Sequence, residues 1–293
     1  MILDYEILSV FSRKRHEGNL LGVFFPSSTE RPDAFPADRA LAVARELGFS
    51  EIVFAWPPVD GHAIVRIFAP GRELAFAGHP CLGATDALVR RAAPTLERLV
   101  LETGAGAVPV RRTGEGEYFM DQRPPVFGRE VAGGSAARVL ALSQSALDGR
   151  FACREVSTGL PHVIVPLRDR ASVDACRIDP QAYEAWLVAG LPPNIYVFSP
   201  GAEAKNADWS VRMFAPGIGI TEDPATGSGA GCFAAWMIES GFARGDAIRG
   251  LIEQGRAMGR ACYLSIEGKR SAEGIAVSVG GKVTLVADGR YRL

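Results

Sequence analysis

Long apolar runs, paired cysteines and a surplus of charge are all missing from this 293-residue chain. Thirty-two Lys and Arg face 33 Asp and Glu, a net charge of −1. That balance offers no electrostatic footprint for nucleic acid or an anionic membrane surface. The one short basic run, Arg13-Lys14-Arg15-His16, reads as a solvated turn. The longest apolar stretch, Cys232 to Ile238, falls far short of the ~20 residues a membrane span requires. Five cysteines (Cys81, Cys153, Cys176, Cys232, Cys262) lack C-x-x-C spacing, and an odd count does not make a disulfide framework. Reduced thiols in a cytoplasm are the expectation. The start, Met-Ile-Leu-Asp-Tyr-Glu, has neither a basic flank nor an apolar core, so no secretion signal is expected. Four histidines (His16, His62, His79, His162) form no metal-binding spacing, and no metal is expected.

What is present is a globular composition, 47% apolar and 22% charged, in a chain long enough for two domains. Arg66-Ile67-Phe68-Ala69-Pro70-Gly71 returns as Arg212-Met213-Phe214-Ala215-Pro216-Gly217. Ile52–Ala55 lies upstream of the first copy as Tyr196–Ser199 lies upstream of the second, and a glycine-containing turn opening a small-residue helix follows each. Duplication is the better reading of this pattern.

Each half also offers many short strands around one helix with almost no polar face, Pro80 to Ala92 and Ser228 to Ser240. Further helices are predicted over Asp33–Leu47 and near Pro180–Ala189. Strands and helices do not alternate strictly, which argues against a parallel doubly wound sheet. The expectation is a mixed α/β (α+β) fold of two similar lobes, each a mostly antiparallel, barrel-like sheet around a central helix. Arg123-Pro124-Pro125 and Ala132–Ser135 bracket the junction, giving lobes of residues 1–124 and 125–293.

The densest chemistry lies in Glu222-Asp223-Pro224-Ala225-Thr226-Gly227-Ser228-Gly229-Ala230-Gly231. Small residues at a helix start leave backbone N–H groups free to hold an anion, and Asp223 can exchange a proton beside it. A dinucleotide loop is disfavoured, because Cys232 occupies the third glycine slot of G-x-G-x-x-G and the phosphate-loop lysine is missing. Taken singly, His79 is a core, capping or reactive histidine, Asp223 a loop acid, and Ser228 a cap or a participant.

Gly78-His79-Pro80, the Glu222–Ser228 motif, Ser50-Glu51 and Gln254-Gly255 with Met258-Gly259-Arg260 resemble the phenazine-biosynthesis (PhzF-like) isomerase family over essentially the whole chain. The resemblance implies the diaminopimelate-epimerase-like fold, with the active site in the cleft between lobes and a final strand that can return to the first lobe. It implies a cofactor-independent isomerase acting by acid/base proton transfer on a small carboxylate-bearing metabolite. It also implies a homodimer. Glu51 matches the residue thought to shuttle the proton, with His79, Asp223 and Ser228 as further catalytic positions. Gly78, Gly227, Asn19, Thr226 and Gly229 match substrate-binding positions. Leu20 replaces the proline of the family's G-N-P turn, and Cys81 stands where threonine is frequent. Cysteine-dependent racemases of this fold carry thiols at about the positions of Ala77 and Thr226, and neither residue can act as one. A non-catalytic small-acid binding protein of the same fold is the alternative.

Overall fold

The computed structural model describes residues 1–92, 94–114 and 116–293. They form two compact units, Met1–Met120 with Gly280–Leu293, and Asp121–Val279.

In the first unit, β1 (Ile2–Val10) and β2 (Asn19–Phe25) make an antiparallel hairpin. Gly18 closes it with φ +75°, and a Cβ there would stand 2.5 Å from the Val10 carbonyl oxygen. α1 (Ala37–Leu47) starts later than Asp33, because Pro36 lacks an N–H and holds Phe35 extended. Residues Pro32–Ala34 form a separate 3₁₀ turn instead. α1 ends at Gly48, whose φ of 65° lets its N–H reach the Ala44 carbonyl. β3 (Ile52–Ala55) then pairs parallel with β2, and β4 (His62–Ala69) antiparallel with β3. After the short β5 (Arg72–Leu74), the central helix α2 (Gly78–Ala92) buries every residue from His79 to Val89. β6 (Arg98–Thr103), parallel to β4, leads into the antiparallel β7 (Gly106–Arg112) and β8 (Tyr118–Asp121). The C-terminal strand Val283–Arg292 runs antiparallel to β1, from Ile2↔Arg292 to Val10↔Val283.

The second unit begins with β9 (Val126–Val131) and α3 (Gly133–Val139). It continues through the hairpin β10 (Cys153–Ser157) and β11 (Pro161–Pro166), then α4 (Arg170–Ala175) and α5 (Pro180–Val188). β12 (Ile195–Pro200) lies parallel to β11 and antiparallel to β13 (Trp209–Phe214). The central helix α6 (Gly227–Glu239) follows, then β14 (Ala247–Gln254) parallel to β13, β15 (Cys262–Ser271) and β16 (Gly274–Gly281). Sequence periodicity missed β9, α3, α4 and β14. α3 opens Gly-Gly-Ser, which reads as a turn, and β14 is interrupted by Gly250. That glycine is needed because a Cβ would meet the Trp209 ring at 2.4 Å.

Both units therefore run hairpin, outer helix, parallel strand, antiparallel strand, central helix, parallel strand, hairpin. The register corrects one detail of the sequence duplication. Arg66 lies opposite Phe54, whereas Arg212 lies opposite Val197. Ile52–Ala55 thus correspond to Ile195–Phe198, one residue earlier than Tyr196–Ser199. A one-residue slip reverses the face each side chain occupies. Phe54 packs in the outer core with Phe24, Phe35 and Phe68, while Phe198 packs on Phe233 and Trp236 of α6.

Candidate active site

Glu51 stands one residue before β3, and His79 is the second residue of α2. The fold of the first unit brings them together: Glu51 Oε2 lies 3.6 Å from His79 Nε2, with the two side chains 20% and 8% exposed. Both atoms are buried and neither has a hydrogen-bond partner. Burial pushes the His79 pKa below its ordinary 6.5, against the pull of the Glu51 charge and a backbone hydrogen bond at Leu20. Since that bond favours the charged ring, its partner is an acceptor, the Leu20 carbonyl. Asn19, beside it at the start of β2, is buried opposite Val10. Gly78 opens α2, and a Cβ there would meet only the Met120 methyl, at 3.7 Å, so this face of its backbone stays approachable.

In the second unit, Asp223 and Thr226 form one hydrogen-bonded turn. The Thr226 hydroxyl donates to Asp223 Oδ2 at 2.6 Å, and the Asp223 N–H donates to the Met213 carbonyl at 3.0 Å. Gln254, fully buried at the end of β14, completes the turn. Its Nε2 donates to the Asp223 carbonyl (2.8 Å) and the Thr226 hydroxyl (2.9 Å), and its Oε1 accepts from the Thr226 N–H (3.2 Å). Gly255 seats it: at φ +76°, a Cβ would lie 2.6 Å from the Pro224 carbonyl oxygen.

Thr226 occupies the N-cap of α6 yet makes no side-chain cap, because its hydroxyl serves Asp223. The first N–H groups of α6 are left without that acceptor, a ready arrangement for an anion. Ser228 is the second helical residue rather than the cap, and among the described residues no group hydrogen-bonds its hydroxyl. Gly227 has open space where a side chain would be. Gly229 does not, since a Cβ would strike the Tyr196 ring at 2.5 Å. Packing of α6 on β12 accounts for that glycine.

Two groups that periodicity did not single out lie beneath α6. His162 and Tyr196 are fully buried, their rings 6.3 Å apart, and His162 Nε2 and the Tyr196 hydroxyl lack partners. Burial drives the His162 pKa to about 4 and that of Tyr196 well above 10. A histidine inside the apolar run His162–Val165 was the available signal. All five cysteines are buried, and burial raises Cys81 to about 12 and Cys232 to about 11, which suits small core residues. Among the described residues no cluster of His, Cys, Asp or Glu could hold a metal, and no helix is long and apolar enough to cross a membrane.

Known proteins share this fold. A trans-2,3-dihydro-3-hydroxyanthranilate isomerase of Pseudomonas aeruginosa is 32% identical over 296 residues, covering 99% of each chain. The crystal structure of a Bacillus anthracis phenazine biosynthesis protein of the PhzF family superposes with a TM-score of 0.85 at 21% identity, over 100% of both chains. A Pseudomonas aeruginosa protein described as a predicted epimerase superposes at 0.74 with 31% identity, over 99% of both. The fold and these relatives make the chain an enzyme of the isomerase class. The family model described as phenazine biosynthesis-like protein matches residues 8–289, and the chain belongs to that family.

Proposed function

We propose that the enzyme is a cofactor-independent isomerase that moves a proton between two carbons of a small carboxylate-bearing metabolite, with Glu51 as the shuttle. The observation that carries this reading is the partly buried Glu51 side chain, whose Oε2 is buried, unbonded and 3.6 Å from His79 Nε2. A carboxyl oxygen that no hydrogen bond ties down is free to take a proton and return it, and a neighbouring neutral imidazole can hold or orient that proton. Asn19 and Gly78 flank this pair. The turn of the second unit supplies the remaining roles: Asp223 as a second proton-handling group, Ser228 with the Gly227 and Gly229 N–H groups as anion donors, and Thr226, whose own N–H and hydroxyl are taken by Gln254 and Asp223, as the residue that shapes this helix start. Donors aimed at a substrate carboxylate also stabilise the negative charge that spreads into it when a neighbouring carbon loses a proton. A homodimer in the cytoplasm belongs to the same reading, carried by the family resemblance and the reduced thiols.

The test is solvent-deuterium incorporation by NMR in D₂O, starting from trans-2,3-dihydro-3-hydroxyanthranilate and extending to related small acids. The intact enzyme incorporates deuterium at one carbon, while Glu51→Gln binds the same acid and does not. Exchange that persists in Glu51→Gln removes the assignment. Tight binding without exchange at any carbon would instead establish a small-acid binding protein.

A further inference from the structure

We propose that Arg212 is a positioning residue, which through Glu222 holds the Asp223–Thr226 turn in its working geometry. The two copies of the Arg-x-Phe-Ala-Pro-Gly repeat place an arginine in the same surroundings. Arg212 binds Glu222 in a two-pronged pair, Nε to Oε1 at 3.0 Å and Nη2 to Oε2 at 2.7 Å. Its Nη1 donates to the carbonyls of Val173 (3.2 Å), Asp174 (3.3 Å) and Cys176 (2.8 Å), at the end of α4. Arg66 does the same with Glu73, at 2.7 and 2.7 Å, and with the carbonyls of Pro32 (3.0 Å) and Phe35 (2.8 Å) ahead of α1. Each guanidinium also lies over the phenylalanine two residues on, Phe214 at 4.7 Å and Phe68 at 5.2 Å. Only the planar fork of arginine satisfies a carboxylate and a row of carbonyls at once.

The copies differ in what they hold. Glu222 immediately precedes Asp223, and its side chain is 13% exposed. Asp223 is therefore fixed from both sides, by its neighbour on Arg212 and by its own N–H on Met213, the residue after Arg212. Glu73 is 39% exposed and lies six residues before His79. The first copy braces the fold, and the second braces a turn that carries site residues. Arg66 and Glu73 thus provide an internal control.

The kinetic consequence rests on the proton-transfer reading above, whereas the structural consequence does not, so the experiment reads both. Amide hydrogen exchange followed by mass spectrometry is compared for the full chain, Glu222→Gln, Arg212→Lys, Glu73→Gln and Arg66→Lys. kcat and KM are measured for deuterium incorporation into trans-2,3-dihydro-3-hydroxyanthranilate or the small acid found to exchange. Glu222→Gln is expected to speed exchange across residues 222–230 by about tenfold or more while other segments keep their rates. kcat falls by about 10- to 100-fold with KM within about threefold, as for a displaced reacting group. Arg212→Lys, which keeps the charge and loses the fork, gives the same pattern in milder form and serves if Glu222→Gln does not fold. The Glu73 and Arg66 variants leave residues 222–230 and kcat near wild type. Wild-type exchange over 222–230 in both Glu222→Gln and Arg212→Lys overturns the proposal, as does an equal effect there from Glu73→Gln. Faster exchange over 222–230 in a chain that turns over no acid upholds the positioning role and removes the proton-transfer reading alone.

Discussion

The two units follow the same chain course but fill the space beneath their central helices differently. By strand register, Leu21 and Val53 of the first unit stand where His162 and Tyr196 stand in the second. The sixth residue of the central helix is Gly83 in one and Cys232 in the other. The first unit shows that the architecture is satisfied by aliphatic packing, so the fold does not require the buried polar groups of the second. His162 Nε2 and the Tyr196 hydroxyl go unpartnered, at a cost of about 1–3 kcal/mol each. Reactive chemistry is distributed unequally as well. The first unit leaves Glu51 Oε2 and His79 Nε2 without hydrogen bonds, whereas the second ties the Asp223 carboxylate to Thr226 and the Asp223 carbonyl to Gln254.

The sharpest way to break this comparison is to neutralise one carboxyl group at a time. Glu51→Gln should lower the rate of solvent-deuterium incorporation by about 10²–10⁴-fold, the usual worth of a positioned acid or base. Asp223→Asn should lower it less, and a larger loss from Asp223→Asn would transfer the main proton-handling role to the second unit.

Next in size is the pH dependence of stability. With His162 at about 4 in the folded chain and near 6.5 when unfolded, the unfolded state binds more protons between those values. Stability is therefore full above about pH 6.5 and declines as pH falls toward 4, by on the order of 3 kcal/mol from this residue. His162→Leu copies the first unit, and thermal melts of it should lose much of that decline. His79, also lowered by burial, has the same sign and remains in the variant.

A smaller effect separates the glycines. Gly229→Ala forces a methyl into the Tyr196 ring and should cost about 1–3 kcal/mol in urea unfolding. Gly227→Ala meets open space and should lie near zero. Gly83→Ala should cost about as much as Gly229→Ala, since its methyl would meet the Leu21 methyl at 2.5 Å and the methyl of the stiff, β-branched Val10 at 2.9 Å. The smallest effect expected is none: a thiol reagent at neutral pH should leave all five buried cysteines unlabelled until the chain unfolds.

Turns and helix ends were open to sequence reading because each depends on residues close along the chain. Gly48 stops α1 by adopting φ > 0°, Pro180 opens α5, and the absence of a polar face on residues 79–89 already required α2 to be enclosed. The repeat of Arg66–Gly71 at Arg212–Gly217 likewise disclosed duplication without coordinates. Strand register did not follow, since alternation has a period but no absolute phase. Aligning Phe54 with Phe198 matched two residues that face opposite sides of their sheets.

Composition, local turn chemistry and the duplicated motif determined by themselves that this chain builds two similar α/β units around enclosed helices. Tertiary structure alone decided that the Thr226 hydroxyl serves Asp223 instead of capping α6, and that Glu51 Oε2 is buried beside His79. It also decided that Arg212 locks onto Glu222 and the end of α4. Those outcomes join side chains to distant partners in a dry interior, where an available donor or acceptor, more than the residues on either side, settles what a polar group does.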